Sequence, residues 1–252
     1  MDRVPLFSIK QLSKTFSQGY AALCGVDMDI WAGECLLIAG PNGSGKTALM
    51  KIITALDTAS SGEVFFEGKP LVQAVNSLRT AVGLVFQDAD AQIIGETVAE
   101  DAALGPKNLK LPKNIVKERV AAALTAAGLG EKADFPARSL SGGEKRRLAI
   151  AGILAMGCQT IIMDEPFANL DWPGVKSVLQ IVSALKRDGK TVIILTHELE
   201  KTLALAERLV VLCGGKIARD GKPEAVLDAL KPEYGIRDPR CSYLTVKDCL
   251  WL

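Results

Sequence analysis

The chain has 252 residues and a formal charge of +1, with thirty basic side chains against twenty-nine acidic ones. At this length it is one large domain or a domain with a small appendage, and it buries roughly 75% of its unfolded surface, so its core needs neither disulfide nor metal. The charge balance argues against a general nucleic-acid binder, no apolar run approaches the ~20 residues that cross a bilayer, and Met1 to Pro5 lacks a signal-peptide pattern. The six cysteines form no C-x-x-C pair, and several sit in apolar, strand-like runs, which predicts buried free thiols in a reducing, cytosolic compartment.

In chain order, Phe7 to Phe16 alternates loosely and reads as a strand, Leu23 to Ile30 as a second, with Ser17 to Tyr20 as the turn between them. Gly62 to Gly68 extends the pattern, predicting an antiparallel β-subdomain beside a nucleotide core. Glu34 to Ala39 is an apolar strand, followed by Gly40-Pro41-Asn42-Gly43-Ser44-Gly45-Lys46-Thr47 and a helix over Lys46 to Leu56. Ala81 to Phe86 is an apolar run ending at Gln87, before the acidic loop Asp88 to Gln92. A helical subdomain is expected over about 92–157. Within it Ile115, Val116, Val120, Ala123, Leu124 and Ala127 fall at near-helical spacing, and no heptad pattern persists. Thr160 to Met163 and Thr191 to Leu195 are short, fully apolar runs, as in parallel strands buried on both faces, with an amphipathic helix, Val175 to Lys186, between them. Strands alternating with helices mean an α/β core. Leu209 to Leu212, Gly214-Gly215 and Lys216 to Ala218 read as a last hairpin, followed by a helix over Pro223 to Leu230. The tail ends in Trp251 and Leu252, large apolar residues at a terminus, and the segment 224–252 either contributes to contact between subunits or folds back on its own domain.

The stretch from Gly40 to Thr47 fits G-x-x-x-x-G-K-[ST], and the strand before it and helix after it supply the right context. Such a loop aims successive backbone N–H groups at one point, where a helix start adds partial positive charge. Lys46 would reach the β- and γ-phosphates of a nucleoside triphosphate, and the Thr47 hydroxyl would ligate Mg²⁺. Ile161 to Met163 delivers Asp164 and Glu165 at a strand's C-terminal end, where open α/β sheets bind ligands. Asp164 is placed to hold Mg²⁺, leaving Glu165 to polarise the attacking water. His197, the single histidine, follows another apolar strand, within reach of a γ-phosphate. Gln87 ends a strand too and is a candidate for Mg²⁺ or the nucleophilic water. Ser141-Gly142-Gly143-Glu144 opens a helix running to Met156, creating a second anion-binding helix start, best used on the nucleotide of a partner subunit.

Together these motifs resemble those of the ATP-binding-cassette (ABC) ATPases, over roughly Ile9 to Val226. Leu140 to Glu144 looks like their signature sequence, with Glu144 where glutamine is commoner. Ala168 to Asp171 looks like their D-loop, with Asn169 less usual than glycine. Gln87 matches the Q-loop, His197 the switch histidine, and Phe16 the aromatic that stacks on adenine. The resemblance implies an ABC ATPase domain over 1–226 with a C-terminal extension at 227–252. It also implies a head-to-tail dimer, plausibly a homodimer, with two ATP molecules between phosphate loop and opposing signature; Asp171 then joins the cofactor-binding set.

A narrower resemblance lies in Val82 to Gln87, Asp90 to Gln92, Asp101 to Pro106 and Lys145 to Met156, which look like energy-coupling-factor transporter ATPases. That family implies an ATPase peripheral to the cytoplasmic face of the membrane. It docks on an integral-membrane T-component that carries a substrate-capture subunit, for cobalt, nickel, biotin or other vitamins. A cassette of another importer or exporter, or a soluble non-transport ABC ATPase, is the alternative. Long coiled-coil arms between loop and signature, and a second ATPase unit in the same chain, are both absent from the sequence.

Overall fold

The structure, a computed structural model, describes residues 4–240. The strands and helices are β1 (Phe7–Thr15), β2 (Ala21–Ile30), β3 (Cys35–Ala39), α1 (Lys46–Ile53), β4 (Ser61–Phe66), β5 (Lys69–Pro70), α2 (Leu71–Ala81) and β6 (Val82–Val85). They continue as α3 (Val98–Asn108), α4 (Lys113–Ala126), α5 (Gly142–Met156), β7 (Thr160–Asp164), α6 (Trp172–Arg187), β8 (Thr191–Thr196), β9 (Arg208–Cys213), β10 (Lys216–Gly221) and α7 (Pro223–Asp228).

Two sheets result. One is antiparallel in the order β2-β1-β4-β5; the other has six strands in the order β10-β9-β3-β8-β7-β6 and is parallel except for β10. The apolar runs explain the second sheet. Along β3, Cys35, Leu37 and Ala39 face the helical side, while Leu36 and Ile38 face the antiparallel sheet and α1. The same alternation divides Ile161 and Met163 from Ile162 in β7, and Val192 and Ile194 from Ile193 and Leu195 in β8. A strand buried on both faces has no polar side to show, so it reads as a continuous apolar run. One hydrophobic cluster therefore lies on each side of the sheet.

The helical subdomain is α3, α4 and α5, packed on one another through Val98, Ala102, Val116, Val120, Leu124, Leu148 and Ala151, all buried. Two helix starts carry reciprocal capping boxes: Thr97 with Glu100 on α3, and Ser141 with Glu144 on α5. Helix α2 has no counterpart in the sequence reading. It buries only Ala74 and Leu78, too narrow a stripe to mark it. Leu227, Tyr234 and Ile236 are buried in the helical-side cluster, so 226 is not a packing boundary among the described residues. Cys35 and Cys158 are buried free thiols, each pushed up to about 11 by burial; Cys24 and Cys213 are free and half-buried. Cys241, Cys249, Trp251 and Leu252 lie outside the described residues.

Candidate functional site

Four strand ends converge on one cleft. From β3 the chain turns through 40–45 into α1, and Gly45 adopts φ 106°, a conformation and a space closed to other residues: a Cβ there would lie 2.3 Å from the Ala22 carbonyl oxygen. Helix α1 therefore starts without a side-chain cap, leaving its first turn of amides for an anion. The cleft, of about 260 Å³, is lined by Asn42 to Ala48 together with Phe16, Tyr20, Lys51, Asp57, Gln87, Asp164 and Glu165.

Lys46 is buried, and its Nζ donates to the carbonyls of Gly40 (2.6 Å) and Pro41 (3.2 Å). Burial pulls its pKa down, opposed by Glu165 and Asp164. Thr47 Oγ1 donates to Asp164 Oδ2 at 2.9 Å, while Asp164 Oδ1 is buried without a partner. Burial raises the Asp164 pKa despite that hydrogen bond. An orphaned, buried carboxylate oxygen beside a threonine hydroxyl fits a hard cation with oxygen ligands, as Mg²⁺ is.

Glu165 is buried, and its side chain has partners at both oxygens. Thr196 Oγ1 donates to its Oε2 at 3.0 Å, His197 Nδ1 lies 2.8 Å from Oε1, and Lys46 Nζ lies 3.8 Å from that same oxygen. Its backbone is held at φ 45°, a left-handed conformation uncommon for a side-chain-bearing residue. β7 and β8, neighbours in the sheet, thus bring together Asp164, Glu165 and His197. Thr196 lies just past the apolar run expected over Thr191 to Leu195, and Tyr20 within the expected turn. Neither carried a motif of its own.

Ser141, Gly142, Gly143, Glu144 and Asp171 do not line this cleft. Ser141 Oγ accepts from the Glu144 amide (3.4 Å), and the Glu144 carboxylate accepts from the Ser141 amide (3.0 Å) and pairs with Lys132 at 2.5 Å. Lys132, first, and the Ser141 amide hold the Glu144 carboxyl down to about 2. Asp171 caps α6 by accepting from the Gly174 amide at 2.9 Å. Asn169 has φ 59°, which asparagine tolerates. Arg146 on α5 is buried and donates to the carbonyls of Phe86 and, at 2.7 Å, Gln87.

A family profile described as ABC transporter matches residues 23–168. The chain belongs to the ABC transporter family. This cassette is 39% identical to the energy-coupling factor transporter ATP-binding protein EcfA of Methanocaldococcus jannaschii, over 93% of this chain and 86% of that protein. The solved structure of CbiO1 from Clostridium perfringens, part of the ABC transporter complex CbiONQ, superimposes with a TM-score of 0.82 at 33% identity, covering 92% of this cassette and 93% of that chain. A dimeric cassette in a post-hydrolysis state, bound to ADP and Pi, superimposes at 0.77 with 30% identity, covering 86% and 98% of the two chains. The cassette is an ATPase subunit of the energy-coupling-factor kind. Among the described residues no helix is long and apolar enough to cross a membrane.

Proposed function

We propose that this cassette powers an energy-coupling-factor importer of metal ions or vitamins from the cytoplasmic face of the membrane, as a homodimer docked on a T-component with its substrate-capture subunit. The observation that carries the chemistry is Glu165: a buried carboxylate fixed by Thr196 and His197 next to the Thr47–Asp164 pair.

With ATP in the cleft, Lys46 leaves the Gly40 and Pro41 carbonyls for the β- and γ-phosphates, and the amides of α1 take the remaining charge. Thr47, Asp164 and Gln87 would hold Mg²⁺, which would supply charge neutralisation at the phosphate oxygens. Glu165 orients a water and accepts its proton as the water oxygen bonds to the γ-phosphorus and the bond to the β,γ-bridging oxygen breaks. His197 holds the Glu165 carboxylate and faces the same phosphate. Phe16 stacks on adenine. Ser141 to Gly143 of the second copy close the site from the other side, with Glu144 and Asp171 shaping that contact.

The membrane partner docks beside the loop from Gln87 to Gln92. Asp88 Oδ1 caps the loop by accepting from the amides of Asp90 and Ala91 (3.0 and 3.3 Å), and Lys145 pairs with Asp90. The patch is thus less acidic than its sequence, and it sits beside the exposed Ile94.

Mixing tests the composite site. Lys46→Ala removes the charge on the phosphates, and Ser141→Arg fills the opposing anion site. Each variant alone forms dimers with both sites damaged, whereas a mixed dimer puts both lesions in one site and leaves the other intact. The expected result is one tightly held ATP per mixed dimer. Mixed dimers that form yet hold no sandwiched ATP would refute the shared site. Co-purification with a T-component tests the transport assignment.

A further inference from the structure

The cleft holds a second aromatic ring. Phe16, at the end of β1, and Tyr20, at the start of β2, are joined by a tight turn in which the Phe16 amide donates to the Tyr20 carbonyl (2.9 Å) and the Gly19 amide to the Phe16 carbonyl (2.8 Å). That turn sets the two rings nearly parallel, 6° apart in plane with centroids 6.4 Å apart. Both line the nucleotide cleft, and both are large apolar surfaces left open, 43% and 52% exposed. Lys14 fixes the first ring: its Nζ lies 5.3 Å from the Phe16 centroid and is held by Asp57 at 2.6 Å. The Tyr20 hydroxyl fixes the second, because it donates to the carbonyl of Gly43 within the phosphate loop. A tyrosine that spends its hydroxyl on that loop and leaves its ring in the cleft joins two parts of one ligand site.

We propose that Tyr20 is a second aromatic contact for the purine base and that its hydroxyl ties base binding to the conformation of the phosphate loop. The proposal rests on the ATP site described above and deepens it. Phe16 and Tyr20 together offer a flat base two aromatic surfaces, where interactions depend on ring area and polarisability rather than on hydrogen bonding. The tether restrains Gly43, which adopts φ 79° and whose carbonyl accepts from the tyrosine hydroxyl. The hairpin and the loop then respond together when either end of the nucleotide arrives.

The test compares binding of Mg–ATP with binding of Mg–tripolyphosphate, which has the phosphates and no base, by calorimetry on the full chain. In Tyr20→Phe the ring stays and the tether goes, so both ligands should weaken equally, by about 2–3-fold, with the preference for ATP unchanged. In Tyr20→Ala the ring goes too, and the preference for ATP over tripolyphosphate should fall by a further ~3–10-fold. Tyr20→Trp should keep the preference and lose the tether. An unchanged preference in Tyr20→Ala overturns the base contact, and unchanged affinities in Tyr20→Phe overturn the tether. Phe16→Ala and Lys46→Ala separate the underlying assignment. If Phe16→Ala leaves the preference untouched, the base does not bind at this hairpin; if Lys46→Ala leaves tripolyphosphate bound, the phosphates are elsewhere.

Discussion

Replacing Glu165 with glutamine removes one charge and no atoms, and it should separate binding from hydrolysis. The amide oxygen can accept from Thr196 Oγ1, now 3.0 Å from Oε2, while its NH₂ turns toward His197 Nδ1, so the buried side chain keeps partners at both ends. The fold should therefore be unaffected. Two consequences differ in sign. Hydrolysis loses its proton acceptor, and general-base assistance is worth about 10²–10⁴ in rate, or about 2.7–5.4 kcal/mol of barrier. Binding gains, because Glu165 Oε1 lies 3.8 Å from Lys46 Nζ and competes with phosphate for it. At an effective dielectric constant of about 20, charges about 4 Å apart interact by about 4 kcal/mol. That is an upper bound, since Lys46 keeps Asp164 nearby and the carbonyls of Gly40 and Pro41. A quarter of it, about 1 kcal/mol, corresponds to about fivefold tighter ATP binding. Phosphate release under saturating ATP and calorimetric titration read the two effects, and size-exclusion chromatography should show a dimer trapped by ATP. Turnover within tenfold of the unmodified protein, or weaker ATP binding, would refute the role given to Glu165.

Asp164→Asn should raise the melting temperature of the nucleotide-free protein by about 2–4 °C, as about 1 kcal/mol does in a chain of this size, while abolishing Mg²⁺-dependent turnover. Burial raises the Asp164 pKa in the folded state, so its ionised form weakens the fold at neutral pH; in calorimetry the gap should close as pH falls below the unfolded value and both side chains are neutral. Lys132→Ala should leave the Glu144 carboxylate without its ion pair in the first turn of α5, the surface proposed to close the partner's site, and weaken ATP-driven dimerisation by about 3–10-fold by light scattering, with Glu144→Gln restoring it in the double variant. An equal loss in the glutamine background would make Lys132 merely structural. Arg208→Ala should cost about 2 kcal/mol in urea unfolding: its guanidinium clamps Asp220 through two bonds of 2.6 Å and donates to the Asp29 carbonyl (2.7 Å), tying β9 and β10 to β2.

What was legible in the sequence had a period or a spacing. The phosphate loop is a fixed spacing between a strand and a helix, and β3, β7, β8 and β9 announce themselves because strands buried on both faces carry unbroken apolar runs through their centres. Asp164 and Glu165 follow from where such a strand ends. Helix α2 was not legible, because a helix that buries only Ala74 and Leu78 leaves no stripe. Tyr20 was read as part of a turn, and a turn's composition says nothing about which ring enters a cleft 23 residues further along. Glu144 was a signal passed over. Seen as a departure from glutamine, it is also the fourth residue of Ser-x-x-Glu, and that spacing before a helix marks the capping box that the structure contains.

Arg146 shows how the separate motifs act on one another. A guanidinium only 3% exposed, its pKa lowered by burial, makes hydrogen bonds that no apolar side chain could make. They go to the carbonyls of Phe86 and Gln87, the residues that carry the end of β6 into the nucleotide cleft, and Asp88 and Asp164 supply the compensating charge. Arg146 belongs to the same helix, α5, whose first turn is capped by Ser141 and Glu144, and its neighbour Lys145 pairs with Asp90 on the same loop. A helix is stiff over so short a distance. Through Arg146 and Lys145, the loop from Gln87 to Asp90 is thus bonded directly to the first turns of α5. Gln87 lines the cleft while its carbonyl is held by Arg146, so this one residue touches both the cleft and the helix that Ser141 caps.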